Sequence, residues 1–186
     1  MKFNDHSQLA GRHAFLGASQ HSWLNYNKDH LRQVFINSMN KERGTRLHDL
    51  ASRMIKDRIR AASLKKAFNM FVNDAIGFRM ESEQVLFYSY NCFGTADAIY
   101  FRDGELRIHD LKTGVLPVEK FGQLDIYAAL FCLEYSVDPK KIDIVERLYQ
   151  GRGFIESVPS GEDIAIIMDK IKEFDTELNE LESKTY

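Results

Sequence analysis

An α/β fold with a central mixed β-sheet flanked by helices is what this sequence predicts, and three observations carry the prediction. Apolar residues recur at three- and four-residue steps from Thr45, short strand-like runs joined by a hairpin turn occupy the middle of the chain, and helical and strand spacing alternate after that. The 186 residues are 44% hydrophobic and 28% charged, which suits one compact domain over 1–186 and leaves little room for two. Within it, a helical N-terminal part is expected over 1–80, a sheet-bearing core over 81–158 and a C-terminal helix over 161–184.

Taken in order, the residues up to Gly17 show no clean period. Ser19 is placed to cap a short helix containing Trp23, Leu24 and Tyr26, with Trp23 as a core anchor. From Thr45, residues Leu47, Leu50, Ala51, Met54, Ile55 and Ile59 share one helix face, and Arg46, Arg53, Lys56 and Arg60 take the other. A second helix is expected over Lys65–Ile76, ending near Gly77. Gln84–Tyr90, Phe93–Phe101 and Leu106–Asp110 then read as strands of an antiparallel meander, with Asp103-Gly104 at the centre of the turn between the last two. After a break at Pro117, Gly122–Tyr135 is helical, and Ile142–Tyr149 and Phe154–Val158 are strands. The last helix, Gly161–Lys184, carries Ile167, Ile171, Phe174, Leu178 and Leu181 as an apolar stripe. Such a stripe needs a partner: the domain's own sheet is expected, and a second copy or another protein is the alternative.

Composition narrows the function classes. With 13 Phe, 8 Tyr and 3 Pro the chain is not of disordered type, and no run approaches the roughly 20 apolar residues of a membrane span. Cys92 and Cys132 have no C-x-x-C spacing, so neither a disulfide scaffold nor a four-cysteine zinc or iron–sulfur site can form. The opening MKFNDHSQLAGRH lacks the apolar core of a signal peptide, and a cytoplasmic location is expected. A net charge of -2 argues against a general nucleic-acid coat, yet residues 1–66 hold 13 basic and 5 acidic side chains while residues 67–186 hold 12 and 22. One positive face can therefore meet a phosphate backbone, although a helix with a solvated basic face would look the same.

The chemistry-bearing residues lie in the meander. Asp110 and Lys112, two apart in HDLKTG, point to one face of a strand, and Leu111 points to the other. Asp97, closing GTAD one hairpin upstream, is brought close to Asp110 by antiparallel pairing. Two adjacent carboxylates repel unless protonated or bridged by a cation, and hard oxygen ligands favour Mg²⁺ or Mn²⁺. A lysine beside them can orient a water and offset charge on a phosphoryl group. Taken singly, each feature has an ordinary reading: D-x-K is a common surface pattern, and an aspartate after Gly-Thr-Ala can satisfy turn amides. Gln123 and Tyr127, four apart, share one helix face; Tyr127 is equally a core tyrosine. His48 lies toward the apolar side of its helix, as a satisfied core histidine or a metal ligand, and spacing prefers the former.

Together, GTRLH at 44–48, GTAD at 94–97, DLKTG at 110–114 and QLDIY at 123–127 resemble the PD-(D/E)XK nuclease superfamily in its RecB-like exonuclease branch, over about residues 42–150. The resemblance implies a restriction-endonuclease-like core and a metal-dependent deoxyribonuclease, an exonuclease of phage or mobile-element DNA processing acting inside a bacterial host. It implies one or two Mg²⁺ or Mn²⁺ ions held by His48, Asp97, Asp110 and the carbonyl of Leu111. Lys112 then acts on water and phosphate, and Gln123 with Tyr127 supports it. Arg43, Arg46, Arg53, Lys56 and Arg60 are expected to guide the DNA backbone without reading bases. Relatives with an iron–sulfur cluster use four cysteines, which this sequence cannot supply, and it has no P-loop motor motif. The alternatives are a catalytically weak DNA-binding or recombination-partner-binding module, a structure- or sequence-specific endonuclease, and a metal hydrolase acting on small phosphate esters. A homo-oligomer or a recombination protein would dock through the C-terminal helix.

Overall fold

The strand-like runs pair into one five-stranded sheet: Glu81–Ser89 (β1), Cys92–Arg102 (β2), Glu105–Lys112 (β3), Asp143–Gln150 (β4) and Gly153–Ser157 (β5), in that spatial order. β1, β2 and β3 form the antiparallel meander, β3 and β4 run parallel, and β5 returns antiparallel along β4. The fold is therefore the α/β arrangement with a mixed sheet flanked by helices. A computed structural model supplies the coordinates, and it describes residues 5, 7–9, 11, 13–114, 118 and 120–185. The expected break at Pro117 lies outside the described residues.

The helices are Lys28–Lys56 (α1), Ala67–Phe78 (α2), Gly122–Glu134 (α3) and Gly161–Thr185 (α4). The chain divides into two compact units, Met1–Arg43 and Gly44–Tyr186, with the boundary inside α1. In the first unit, Trp23 sits in a 3-10 segment, Ala18–Asn25, that buries no residue. Its indole donates to the Gly17 carbonyl at 3.0 Å, so Trp23 is a half-buried local clasp and not the expected core anchor. The capping position there is Gly17, without a side-chain bond, and not Ser19. The cap that matters is Asn27, whose Oδ1 accepts the His30 N–H at 2.8 Å and starts α1 well before Thr45.

In the second unit the sheet is sandwiched. On one face Leu86, Ile99, Leu106, Ile108, Ile144 and Leu148 pack against Leu124, Ala128, Leu130 and Phe131 of α3 and Ile164 of α4. On the other, Ala98, Leu111 and Tyr149 meet Ala51 and Ile55 of α1 and Phe71, Val72 and Ala75 of α2. α1 stops at Lys56, short of Ile59, because Arg58 turns left-handed (φ 55°) and the Ile59 N–H reaches back to the Met54 carbonyl. α2 ends the same way, with Arg79 (φ 55°) and not Gly77 in the left-handed position, and the Met80 N–H bonded to the Ala75 carbonyl. Asp103 and Gly104 both have positive φ, 52° and 82°, as a tight two-residue hairpin turn requires. β1 begins at Glu81, three residues before the expected Gln84.

α4 is capped by Ser160, whose Oγ accepts the Asp163 N–H at 3.1 Å and donates to its carboxylate at 2.7 Å. Its apolar stripe divides. Ile167, Met168 and Ile171 pack toward the α3 cluster, while Phe174, Leu178 and Leu181 remain about half exposed. The buried part of the stripe joins the core shared by α3 and the sheet, with α3 as its main neighbour, and Asp175 of α4 accepts from the Ser89 hydroxyl of β1 at 2.6 Å. Among the described residues no helix is long and apolar enough to cross a membrane.

Candidate metal centre

The site forms where the meander parts. Pairing of β2 with β3 runs from Arg102–Glu105 to Ala98–His109 and stops there. At the next position the Asp97 side chain takes over: its Oδ2 accepts the Leu111 main-chain N–H at 2.8 Å. Its other oxygen lies 3.1 Å from Nδ1 of His48 on α1. Asp97 is thus both the amide-satisfying aspartate that GTAD allows and the partner of the helical histidine.

Across the hairpin, Glu83 stands at the matching position. Ser82 pairs with Ala98 and Gln84 with Ala96, leaving Glu83 and Asp97 between two ladder pairs. Both strands change faces there: Ala98 packs toward α1 and α2, whereas Ala96 and Leu86 pack toward α3. Glu83 makes the change with φ 53°, a left-handed conformation costly for a side-chain-bearing residue. Ser82, its neighbour, is buried and hydrogen-bonded to Ser52 at 3.0 Å, one helical turn beyond His48. This contact fixes α1 against β1 so that His48 faces Glu83. Ligand atoms of His48, Glu83 and Asp97 consequently all lie within 4.8 Å of one another.

The electrostatics are those of a site short of positive charge. Burial and the neighbouring Asp97 push the Glu83 carboxyl up from its ordinary value. Asp110, only 3% exposed, is pushed up by burial and by Asp97, against the pull of Lys112. His48 is raised chiefly by its hydrogen bond to Asp97, which outweighs its partial burial. A divalent cation relieves this repulsion, and one imidazole with carboxylate oxygens suits it. Glu83 is exposed and His48 half-buried, so the centre is open to solvent.

Beside it runs a polar chain. Lys112 Nζ lies 2.9 Å from Asp110 Oδ2 and donates to Gln123 Oε1 at 2.6 Å. Gln123 Nε2 in turn donates to the Tyr127 hydroxyl at 2.9 Å. Tyr127 is 8% exposed, so it is a core tyrosine and a member of this chain at once. Gly94 makes room for it: a Cβ at residue 94 would lie 2.8 Å from the Tyr127 ring.

His48, Asp97, Asp110, Leu111, Lys112, Gln123 and Tyr127 are therefore brought together. Leu111 takes part here through its amide N–H. The basic residues are spread more widely. Arg43 belongs to the first unit; Arg46, Arg53, Lys56 and Arg60 are exposed in the second. At about 3.6 residues per turn, Arg46 and Arg53 project from the side of α1 opposite His48. Lys56 is near enough to Glu83 to lower its pKa. Glu83 is the residue that reading the sequence missed. Its signal was the hairpin register, since folding the strand pair about Tyr90 sets Glu83 opposite Asp97.

No family model, no curated protein and no solved structure matches this chain.

Proposed function

We propose that this chain is a Mg²⁺- or Mn²⁺-dependent deoxyribonuclease of the PD-(D/E)XK type, most similar to the RecB-like branch, that hydrolyses DNA phosphodiester bonds from strand ends. The observation that carries this reading is the convergence of His48, Glu83 and Asp97 beside the Asp110–Lys112–Gln123–Tyr127 chain. When bound, one or two divalent ions supply charge neutralisation at the phosphate and a water acidic enough to attack near neutral pH.

The chain's own residues do the rest. His48, Glu83 and Asp97 would hold the ion, and Asp110 and the Leu111 carbonyl would offer further oxygen ligands. Lys112 is held by Asp110 and Gln123 at the edge of the centre, where its ammonium offsets charge developing on the phosphoryl oxygens. Gln123 and Tyr127 fix where that ammonium sits. Arg43, Arg46, Arg53, Lys56 and Arg60 contact the backbone away from the cut and add affinity that falls with salt.

The test is a time course on end-labelled linear and covalently closed DNA, single- and double-stranded, with Mg²⁺, Mn²⁺ or EDTA. Wild type is run beside Asp97→Ala and Lys112→Ala. Metal-dependent loss of linear substrates, spared circles and inert variants are expected. Cut circles would replace the exonuclease by an endonuclease. Wild type as inert as its variants would overturn the nuclease reading.

A further inference from the structure

A cleft of about 540 Å³ opens at the carboxyl ends of β3 and β4, lined by Leu47, Lys66, Phe68, Leu111, Lys112 and Gln150 among others. Two of these residues belong also to the metal centre: Leu111 gives its N–H to Asp97, and Lys112 is paired with Asp110. The cleft therefore continues directly from the place where a phosphate would be cut. Its size is that of a small-ligand site, and its walls are apolar with a few placed polar groups. Phe68 and Leu47, both half-buried, and the buried Leu111 supply apolar surface on which a planar base can lie. Lys66, exposed at the start of α2, and Lys112 supply positive charge at the rim. Gln150, at the end of β4, also lines the cleft and is held by the Val118 N–H and the Gly114 carbonyl, at 3.0 and 2.9 Å.

We propose that this cleft seats one nucleotide of the substrate strand, the nucleotide adjoining the phosphate at the metal centre, with its base against Phe68 and Leu47 and its phosphate toward Lys66 and Lys112. The proposal rests on the nuclease reading and adds a substrate subsite to it. A cleft that takes a single nucleotide favours a strand end over a continuous duplex, which suits end-directed cleavage.

Thymidine 5′-monophosphate is the probe, titrated in EDTA so that no metal contributes, with binding followed by saturation-transfer NMR on the intact protein. Saturable binding is expected, about tenfold weaker for thymidine or inorganic phosphate alone, since each lacks half of the recognition. Lys66→Glu, at an exposed position, should weaken it about tenfold, and Thr113→Trp, which fills the cleft from an exposed rim position, should abolish it. Melting curves of both variants establish that they are folded. Absent saturation, or affinity unmoved by both folded variants, overturns the proposal. Inorganic phosphate binding as tightly as the nucleotide also overturns it and leaves a simple anion site. The nuclease reading fails separately: nucleotide binding without metal-dependent DNA cleavage keeps the cleft and removes the nuclease, whereas cleavage lost in Asp97→Ala without nucleotide binding does the reverse.

Discussion

Asp97 accepts the Leu111 amide at 2.8 Å, a side chain standing in for the main-chain partner that the parting of β2 and β3 removes. The same carboxylate faces His48, so a structural role and the proposed metal-binding role fall on one group. They can be separated. Asp97→Asn keeps an oxygen for the Leu111 N–H and loses the charge, whereas Asp97→Ala loses both. We expect Asp97→Asn to melt within a few degrees of wild type and Asp97→Ala to lose about 1 kcal/mol. Mn²⁺ is expected to raise the melting temperature of wild type by mass action and to stabilise neither variant. Thermal melts with and without metal check this; a Mn²⁺-stabilised Asp97→Asn would remove the carboxylate from the ligand set.

Glu83 sets stability against the proposed metal site. Its left-handed backbone costs on the order of 1 kcal/mol or more for a non-glycine residue, and its carboxylate adds repulsion beside Asp97. Glu83→Gly should therefore stabilise the metal-free protein by about 1 kcal/mol. It should also weaken Mn²⁺ at least tenfold. Glu83→Gln, which keeps the strain and loses the charge, should weaken the metal without the stability gain from the backbone. Urea unfolding and calorimetric titration measure the two effects. A Glu83→Gly protein that is less stable and binds metal normally would make Glu83 a plain surface residue.

What was legible in the sequence follows from how local its causes are. Asp103-Gly104 specifies its turn through backbone preference alone, and Asp110 and Lys112 share a face because strand geometry alternates. Those features needed no knowledge of the rest of the fold. Residues 28–43 do carry an apolar stripe, Leu31, Val34, Phe35 and Met39 at helical steps behind the Asn27 cap, and the expected helix start at Thr45 passed over it. Arg58 and Arg79 end helices in a conformation that favours glycine, so Gly77 drew the expected boundary wrongly. Glu83 was hidden for a related reason: its role depends on a left-handed turn inside a strand and on pairing with a residue fourteen positions away. The α4 stripe was legible as a stripe, but how much of it is buried depends on the core that α3 and the sheet build together, which leaves Phe174, Leu178 and Leu181 about half exposed.

Two glycines near the site should respond differently to one methyl group. At Gly94 a Cβ would come 2.8 Å from the Tyr127 ring, which is held in the core and hydrogen-bonded to Gln123. At Gly44 it would come 2.8 Å from Oγ1 of Thr113, an exposed side chain that can rotate away. Gly94→Ala is expected to cost about 1–3 kcal/mol by overpacking. Its displaced Tyr127 should also disturb Gln123 and Lys112, lowering kcat while leaving Mn²⁺ affinity near wild type. Gly44→Ala, inside a helix, should be neutral to slightly stabilising. Equal behaviour of the two variants would contradict this account of the Gly94–Tyr127 contact.

Glu146 on β4 is fully buried, neither carboxylate oxygen has a hydrogen-bond partner, and burial, with Asp125 adding, pushes its pKa up to about 8 from 4.5. The folded protein therefore keeps a proton that the unfolded chain releases between those two values. The sign follows from linkage: the contribution of this group is fully present below pH 4.5 and is lost as pH rises toward 8. The loss is at most about 1.4 kcal/mol per pH unit within that window. Glu146→Gln has no charge to bury, so its stability should match wild type near pH 4.5 and exceed it by a few kcal/mol near pH 8. Raised groups elsewhere, His48 among them, affect both proteins alike and drop out of the comparison. Urea denaturation of the pair from pH 4.5 to 8.5 should give curves that diverge with pH; parallel curves would mean that Glu146 is solvated or paired in solution and does not hold its proton.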